Sequence, residues 1–375
     1  MGFLTRDKQS GAATLLMALV IVSLISMISV YAAQVSVVEQ KISINHLSSQ
    51  QAFEAAEIGL EVVRRNLNKD IIQIAVQNKE NIGTIENFHN AGIPIKTQLM
   101  DSNNKQLGSF TFQFTTNETA DVINLRVDGF SANNSTSFPN QTIHQNISYS
   151  PLVAQQSLSP VIAKGDINID ESGAIITNLS TNSTTALWSG KKTINIGKLI
   201  TTRPDNIQSL HSELANLSND DFFNNFFTKT KDRIKMQSNH IIICSKECNT
   251  NNLTDDFNNP LTGIIWIDAF QSTDNTYNTI FLDDAIQLGT SENPVIVIID
   301  GHVEFKHSAA NVTGLVYTTQ SVNNAKKGSI TGSLISEENI NIKGKMNIRY
   351  DQNVIEKLIN RTGEFTRIAG SWRDF

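Results

Sequence analysis

The sequence predicts an α+β protein: a long N-terminal helix, half transmembrane and half amphipathic, then an antiparallel sheet, then a β-rich domain, solenoid-like or sandwich. Three observations predict this. No side chain from residue 12 to 33 is charged, and at about 1.5 Å per residue such a helix crosses the roughly 30 Å of a bilayer's hydrocarbon core. Phe53, Ala56, Leu60, Val63, Leu67, Ile71 and Ile74 then recur at steps of three and four, the spacing of one apolar helix face. Beyond about residue 95 the period falls to two, the alternation of strands.

The chain opens with a short polar flank, residues 1–11, in which Arg6 and Lys8 outweigh Asp7. Basic residues on a short flank hold that end in the cytoplasm, so the remainder is expected to be translocated. A secretory signal peptide has a shorter apolar run ending in small residues, as at Tyr31-Ala32-Ala33-Gln34. Here the helical pattern runs on through Val35, Val38 and Ile42, so one helix is expected from about Ala12 past Leu67, with its end at 78–83. Gly59 inside it costs about 1 kcal/mol relative to Ala and marks a close backbone approach or a bend. Glu61 and Arg65 stand four apart, acid first, the favourable order for a helical ion pair.

A basic leader ending in Gly11, an apolar helix directly behind it and an amphipathic continuation resemble a type IV pilin precursor. Val38-Glu39-Gln40-Lys41 and the run Gln50-Gln51-Ala52-Phe53-Glu54-Ala55-Ala56-Glu57-Ile58-Gly59-Leu60-Glu61 resemble the N-terminal region of PilX-type minor pilins. The terminus Gly370-Ser371-Trp372-Arg373-Asp374-Phe375 resembles the Trp-Arg-acidic-aromatic ending of that family. The resemblance implies cleavage after Gly11 by a prepilin peptidase and methylation of Ala12. It further implies an inner-membrane precursor held in lipid with its N-terminus cytoplasmic, then a pilus subunit packed against the major pilin and other minor pilins. The packing residues would include Leu16, Phe53, Ala56, Leu60, Val63 and Leu67. Pilin-type subunits usually carry Glu at the fifth mature position, paired with a neighbour's N-terminal ammonium; here that position is Leu16. An unpaired ammonium in a low-dielectric core is costly, and a place at or near the pilus tip, beside a tip adhesin, tolerates the missing Glu best. Two other readings share these features: a pilus-displayed adhesion subunit, and a pseudopilin of a type II secretion system.

The alternating stretches 109–115, 122–129 and 141–150 predict an antiparallel meander; the resemblance implies a pilin-like antiparallel sheet packed on the amphipathic helix half, a module over 34–150 after the leader 1–11 and the membrane half 12–33. Pro151 and the Gln- and Ser-rich stretch that follows mark a linker at 151–160. Within 161–350, Val161-Ile162-Ala163-Lys164-Gly165-Asp166-Ile167-Asn168-Ile169 is similar to 297–305 and more loosely to 335–344. Short strands at roughly twenty-residue intervals suggest stacked coils, with a sandwich as the rival. A helical insertion is expected near 203–240, with Ile207, Leu210, Leu214 and Leu217 at helical spacing and Phe223, Phe226 and Phe227 forming a local core. A last helix and tail fill 351–375, with Val354, Leu358 and Ile359 on the buried side.

The net charge is −6, and no Lys and Arg cluster stands out along the chain, so direct nucleic-acid binding is not expected. Cys244 and Cys248 are the only cysteines; in a translocated domain they are expected to form a disulfide, and two thiols alone cannot complete a zinc site. Asp300, His302 and Glu304 alternate along one strand, a set that could face a divalent cation or simply form a polar outer face. No enzyme signature is present. Residues 189–193 lack the upstream Gly and the following Ser or Thr of a P-loop, and neither a Gly-x-Ser-x-Gly elbow nor a His-Glu-x-x-His helix occurs. No enzymatic activity and no cofactor are called for.

Overall fold

The computed structural model describes residues 7–67, 96–100, 102, 106–116, 122–132, 141–154, 158–170, 174–178, 180, 185–196, 198–201, 207–244, 248–254, 261–271, 276–307, 309–324 and 327–374. Helix α1 runs from Asp7 to Asn66 without interruption. The expected helix end at 78–83, with Ile71 and Ile74, lies outside the described residues.

Strands β1 (Lys96–Met100), β2 (Gln106–Thr116), β3 (Val122–Ser131) and β4 (Gln141–Ser150) form an antiparallel meander in that order. Their alternation does what the period of two requires: Ile123, Leu125 and Val127 point inward from β3, and Phe110 and Phe112 from β2. Ala56, Leu60, Val63 and Leu67 of α1 complete the same core. Each large aliphatic side chain so buried is worth about 1.5–3 kcal/mol.

The sheet does not end at β4. The C-terminal strands Glu364–Arg367 and Arg373–Asp374 both pair antiparallel with β4, Glu364 opposite Ser150 and Arg373 opposite His144. Everything from 151 to 363 is therefore an insertion between two neighbouring strands of one sheet, and the tail belongs to the N-terminal module.

Apart from the hairpin of Phe270–Gln271 with Thr276–Tyr277, the ladders among the described strands of 161–350 are parallel. Parallel coils, and not a sandwich, result. One face stacks Val297, Val316, Leu334, Val161 and Leu187 in register; a second stacks Val303, Val322, Ile340, Ile167 and Thr193. A third carries strands Ile286–Leu288, Ala310–Thr318, Lys327–Ser336 and Lys345–Tyr350. The three similar stretches thus occupy equivalent positions in the stack, but space and sequence order differ: the coil starting at Val161 lies beside Leu334. Gly314 and Gly332 turn the two long strands from the third face onto the first, with φ of +142° and +140°. They stack directly on one another, and a Cβ on Gly332 would lie 1.8 Å from the Gly314 oxygen.

The outward side of the first face is covered. Trp266, Ile298, Leu315, Tyr317 and Ile335 meet Phe222, Phe223, Phe226 and Phe227 of the helical insertion and Ile355 and Leu358 of the helix Gln352–Thr362. Leu152, Val153 and Leu158, in the stretch expected as a linker, are buried in this same core. The insertion itself is less helical than its spacing suggests. Ile207 and Gln208 pair in parallel with Leu187 and Trp188, and Leu210 is exposed at φ +57°, so among the described residues of the insertion helix is found at Ser212–Ala215, Asn219–Asn224 and Lys231–Gln237. The edge of the coil stack offered Ile207 backbone partners that an isolated turn of helix could not match. Below it, Tyr317 donates to Glu337 at 2.7 Å, and Lys231 reaches the same carboxylate at 2.8 Å.

Candidate functional site

The site expected from the sequence is α1 itself, and its two halves have different surroundings. In the first half the apolar side chains stand free of the rest of the chain: Leu16 is 69% exposed, and its neighbours from Leu15 to Tyr31 are similar. Gly11 and Ala12 lie on the same helix, within its first turns.

The second half is clamped. Ala55 lies against Gly108 of β2, and Ala52 and Ala56 bring the helix so close to β3 that a Cβ on Gly129 would sit 2.0 Å from the Ala52 carbonyl oxygen. Gly59 is the close approach its position suggested, since a Cβ there would lie 2.5 Å from the ring of Phe110. Leu60, Val63 and Leu67 are buried, whereas Phe53 is only half-buried. Phe53 packs instead at the rim, edge to face with Trp372.

At the end of the helix Glu61 is shared by Arg64 (2.6 Å), Arg65 (2.7 Å) and Arg367 (3.6 Å). Arg64 also donates to the Phe365 carbonyl at 2.8 Å, so the ion cluster ties α1 to the returning C-terminal strand. The hydrogen bonds from Arg64, followed by those from Arg65, outweigh partial burial and hold the Glu61 carboxyl down at about 2. Sequence spacing found only the Arg65 pair; Arg367 comes from the far end of the chain and left no local signal. Gln145 of β4, buried, fastens the tail by donating to the Ile368 carbonyl (3.1 Å) and Ser371 Oγ (2.5 Å).

Residues 10–61 match the family model described as PilX N-terminal. The similarity covers α1 as far as Glu61 and none of the sheet or the coils. The matched segment is the stretch whose motifs carried the resemblance, and it stops at Glu61, the residue at the centre of the arginine cluster. By length and composition α1 is long and apolar enough to cross a membrane. Among solved structures, the competence-associated pilin ComZ from Thermus thermophilus is similar at 11% identity and a TM-score of 0.27, over 88% of this chain and 97% of that one. No curated protein matches the sequence.

Outside the matched segment, Cys244 and Cys248 are joined in a disulfide with their Cα atoms 5.5 Å apart. Asp300, His302 and Glu304 are not one cluster: Gly301 turns the chain between them, leaving Asp300 on one sheet and His302 and Glu304 on the next. Thr319 donates to Asp300 at 2.8 Å, His302 Nδ1 meets Ser321 Oγ at 2.8 Å, and Glu304 lies 3.9 Å from Lys306. Among the described residues no group of three His, Cys, Asp or Glu is placed to hold a metal ion. Asp283 serves as a loop brace, receiving the Thr250 hydroxyl at 3.0 Å.

Proposed function

We propose that this chain is a minor pilin that takes part in type IV pilus assembly at or near the pilus tip. The observation that carries the reading is the PilX N-terminal match over 10–61, on a helix whose first half leaves its apolar side chains free. The precursor is held in the inner membrane by α1 with its N-terminus cytoplasmic. Prepilin peptidase cuts after Gly11 and Ala12 is methylated, after which α1 leaves lipid for a helical bundle with the major pilin and other minor pilins. Leu16, at the fifth mature position, offers no carboxylate to a neighbour's ammonium, which favours a subunit with no neighbour needing one, next to a tip adhesin. The clamped half supports this work mechanically, since the coil domain is carried on the sheet by two adjacent strands.

Substitution of Gly11 tests the reading: Gly11→Val is expected to leave unprocessed precursor in the inner membrane and none in sheared filaments. A mature N-terminus in that variant would count against it. The adhesion role separates from assembly by deletion of 152–362 with β4 and Glu364–Arg367 joined in a hairpin, which their pairing at Ser150 and Glu364 permits. Normal filament numbers with lost adherence would assign the coils to binding; lost filaments would assign them to assembly.

A further inference from the structure

Two adjoining depressions of about 960 Å³ and 630 Å³ share Gln237 and Glu364 and form one groove where the end of α1, the helix Lys231–Gln237 and the segment 361–364 meet. Arg64, Arg65 and Arg361 line the first part, and Lys229 and Arg233 the second; Glu364 is the only acid in the lining among the described residues. Glu364 is already engaged, by Lys229 at 2.5 Å and by Gln237 at 2.9 Å. The adjacent Glu61 is divided among three arginines. Glu292, next to the lining residue Asn293, is taken by Lys357 at 2.6 Å. The groove is thus locally cationic on a chain of net charge −6. Its five cations come from three distant segments, which is why no basic run announces it.

We propose that this groove binds an extended acidic segment of a partner protein. Arginine forks suit carboxylates, and the side-chain N–H groups of Asn239 and Asn293, whose Oδ1 atoms already accept from the Ile264 N–H and from Arg361, suit the carbonyls of an extended peptide. Nucleic acid is the poorer match. Single strands bind on exposed rings, whereas Phe227, the ring at this groove, is buried and stacked on Phe223 at 4.4 Å.

The test is fluorescence anisotropy of the full-length protein in detergent with a labelled oligo-glutamate peptide, against an oligo-glutamine of the same length. The glutamate peptide is expected to bind more tightly and to weaken as salt rises. Arg65→Gln, Arg233→Gln and Arg361→Gln each lose roughly three-fold in affinity, as partly exposed ion pairs do, and their losses multiply in the triple variant. Lys343→Gln, on an exposed loop of the coils, changes nothing. Arg233→Glu with Arg361→Glu, checked for an unchanged melting temperature, neutralises the lining and abolishes the preference for oligo-glutamate over oligo-glutamine. Equal binding of the two uncharged and acidic peptides, an unaffected triple variant, or displacement of the peptide by a preferred oligonucleotide or heparin would overturn the proposal. Peptide binding does not require Gly11 processing, so failure here and failure of the pilus reading are told apart.

Discussion

Phe53 and Trp372, from opposite ends of the chain, meet edge to face with their ring centroids 6.3 Å apart and their planes at 84°. The contact joins the Gln-Ala-Phe run of α1 to the Trp-Arg ending, two motifs that have no reason to coincide in sequence. It closes the module: helix, meander and tail form one unit, with the coil domain looped out of it. Trp372 is 40% exposed, so Trp372→Ala is expected to cost about 1 kcal/mol, the scale of one aromatic pair and its partial burial. A melting temperature lowered by a few degrees would show this, and an unchanged one would remove the tail from the clamp.

Gly129→Ala should be far worse than its single methyl suggests. The added Cβ would press on the Ala52 carbonyl oxygen and on Ala56, both backbone-fixed, and forcing atoms into a packed core costs about 1–3 kcal/mol or more. Gly370→Ala is the comparison: its φ of +75° is unfavourable, but nothing lies within 4 Å. Denaturant unfolding should rank Gly129→Ala well below Gly370→Ala.

Glu61 gives the N-terminal module a pH dependence of known sign. Its folded value, held at about 2 by Arg64 and then Arg65, lies below the ordinary carboxylate value of 4.5. A depressed carboxylate adds stability above its unfolded value and loses it as pH falls through the window from 4.5 to about 2. Glu61→Gln should therefore be less stable than the parent at neutral pH, with the gap closing across that window. A gap that persists at the acid end would show that the cluster acts through packing and not charge.

The buried pair in the coil domain behaves oppositely. Burial raises the Glu337 value despite Lys231 and Tyr317, so ionised Glu337 depends on its cation. Removing one partner of a buried pair costs about 3–5 kcal/mol. Lys231→Met should approach that loss at neutral pH and recover as acid protonates Glu337; Lys231→Met with Glu337→Gln should recover at neutral pH. Chemical denaturation across pH reads both.

The elements that were legible in the sequence are those whose partner is nearby or repeated. The apolar steps of α1, the alternation of β2 and β3, and Val354, Leu358 and Ile359 of the last helix each state a buried face directly. Similarity among 161–169, 297–305 and 335–344 announced stacked coils, because equivalent positions in a stack face equivalent surroundings. What stayed hidden is long-range pairing. Nothing near residue 365 says that it returns to β4. Ile207 and Leu210 keep helical spacing and yet lie in a strand and a left-handed turn, because the edge at Leu187 supplies the backbone partners. The alternation at Asp300, His302 and Glu304 read as one strand face because the turn at Gly301 does not break the period. The arginines around Glu61 come from both ends of the chain, and the groove beside it draws its cations from three distant segments.

The central claim, that α1 is a processed pilin helix, is tested most directly by mass spectrometry of the N-terminus of this protein in sheared surface filaments and in inner membranes. The account predicts methylated Ala12 as the first residue in the filament fraction. An intact Met1 there, or a cut near Ala33 with the protein free in the periplasm, would contradict it.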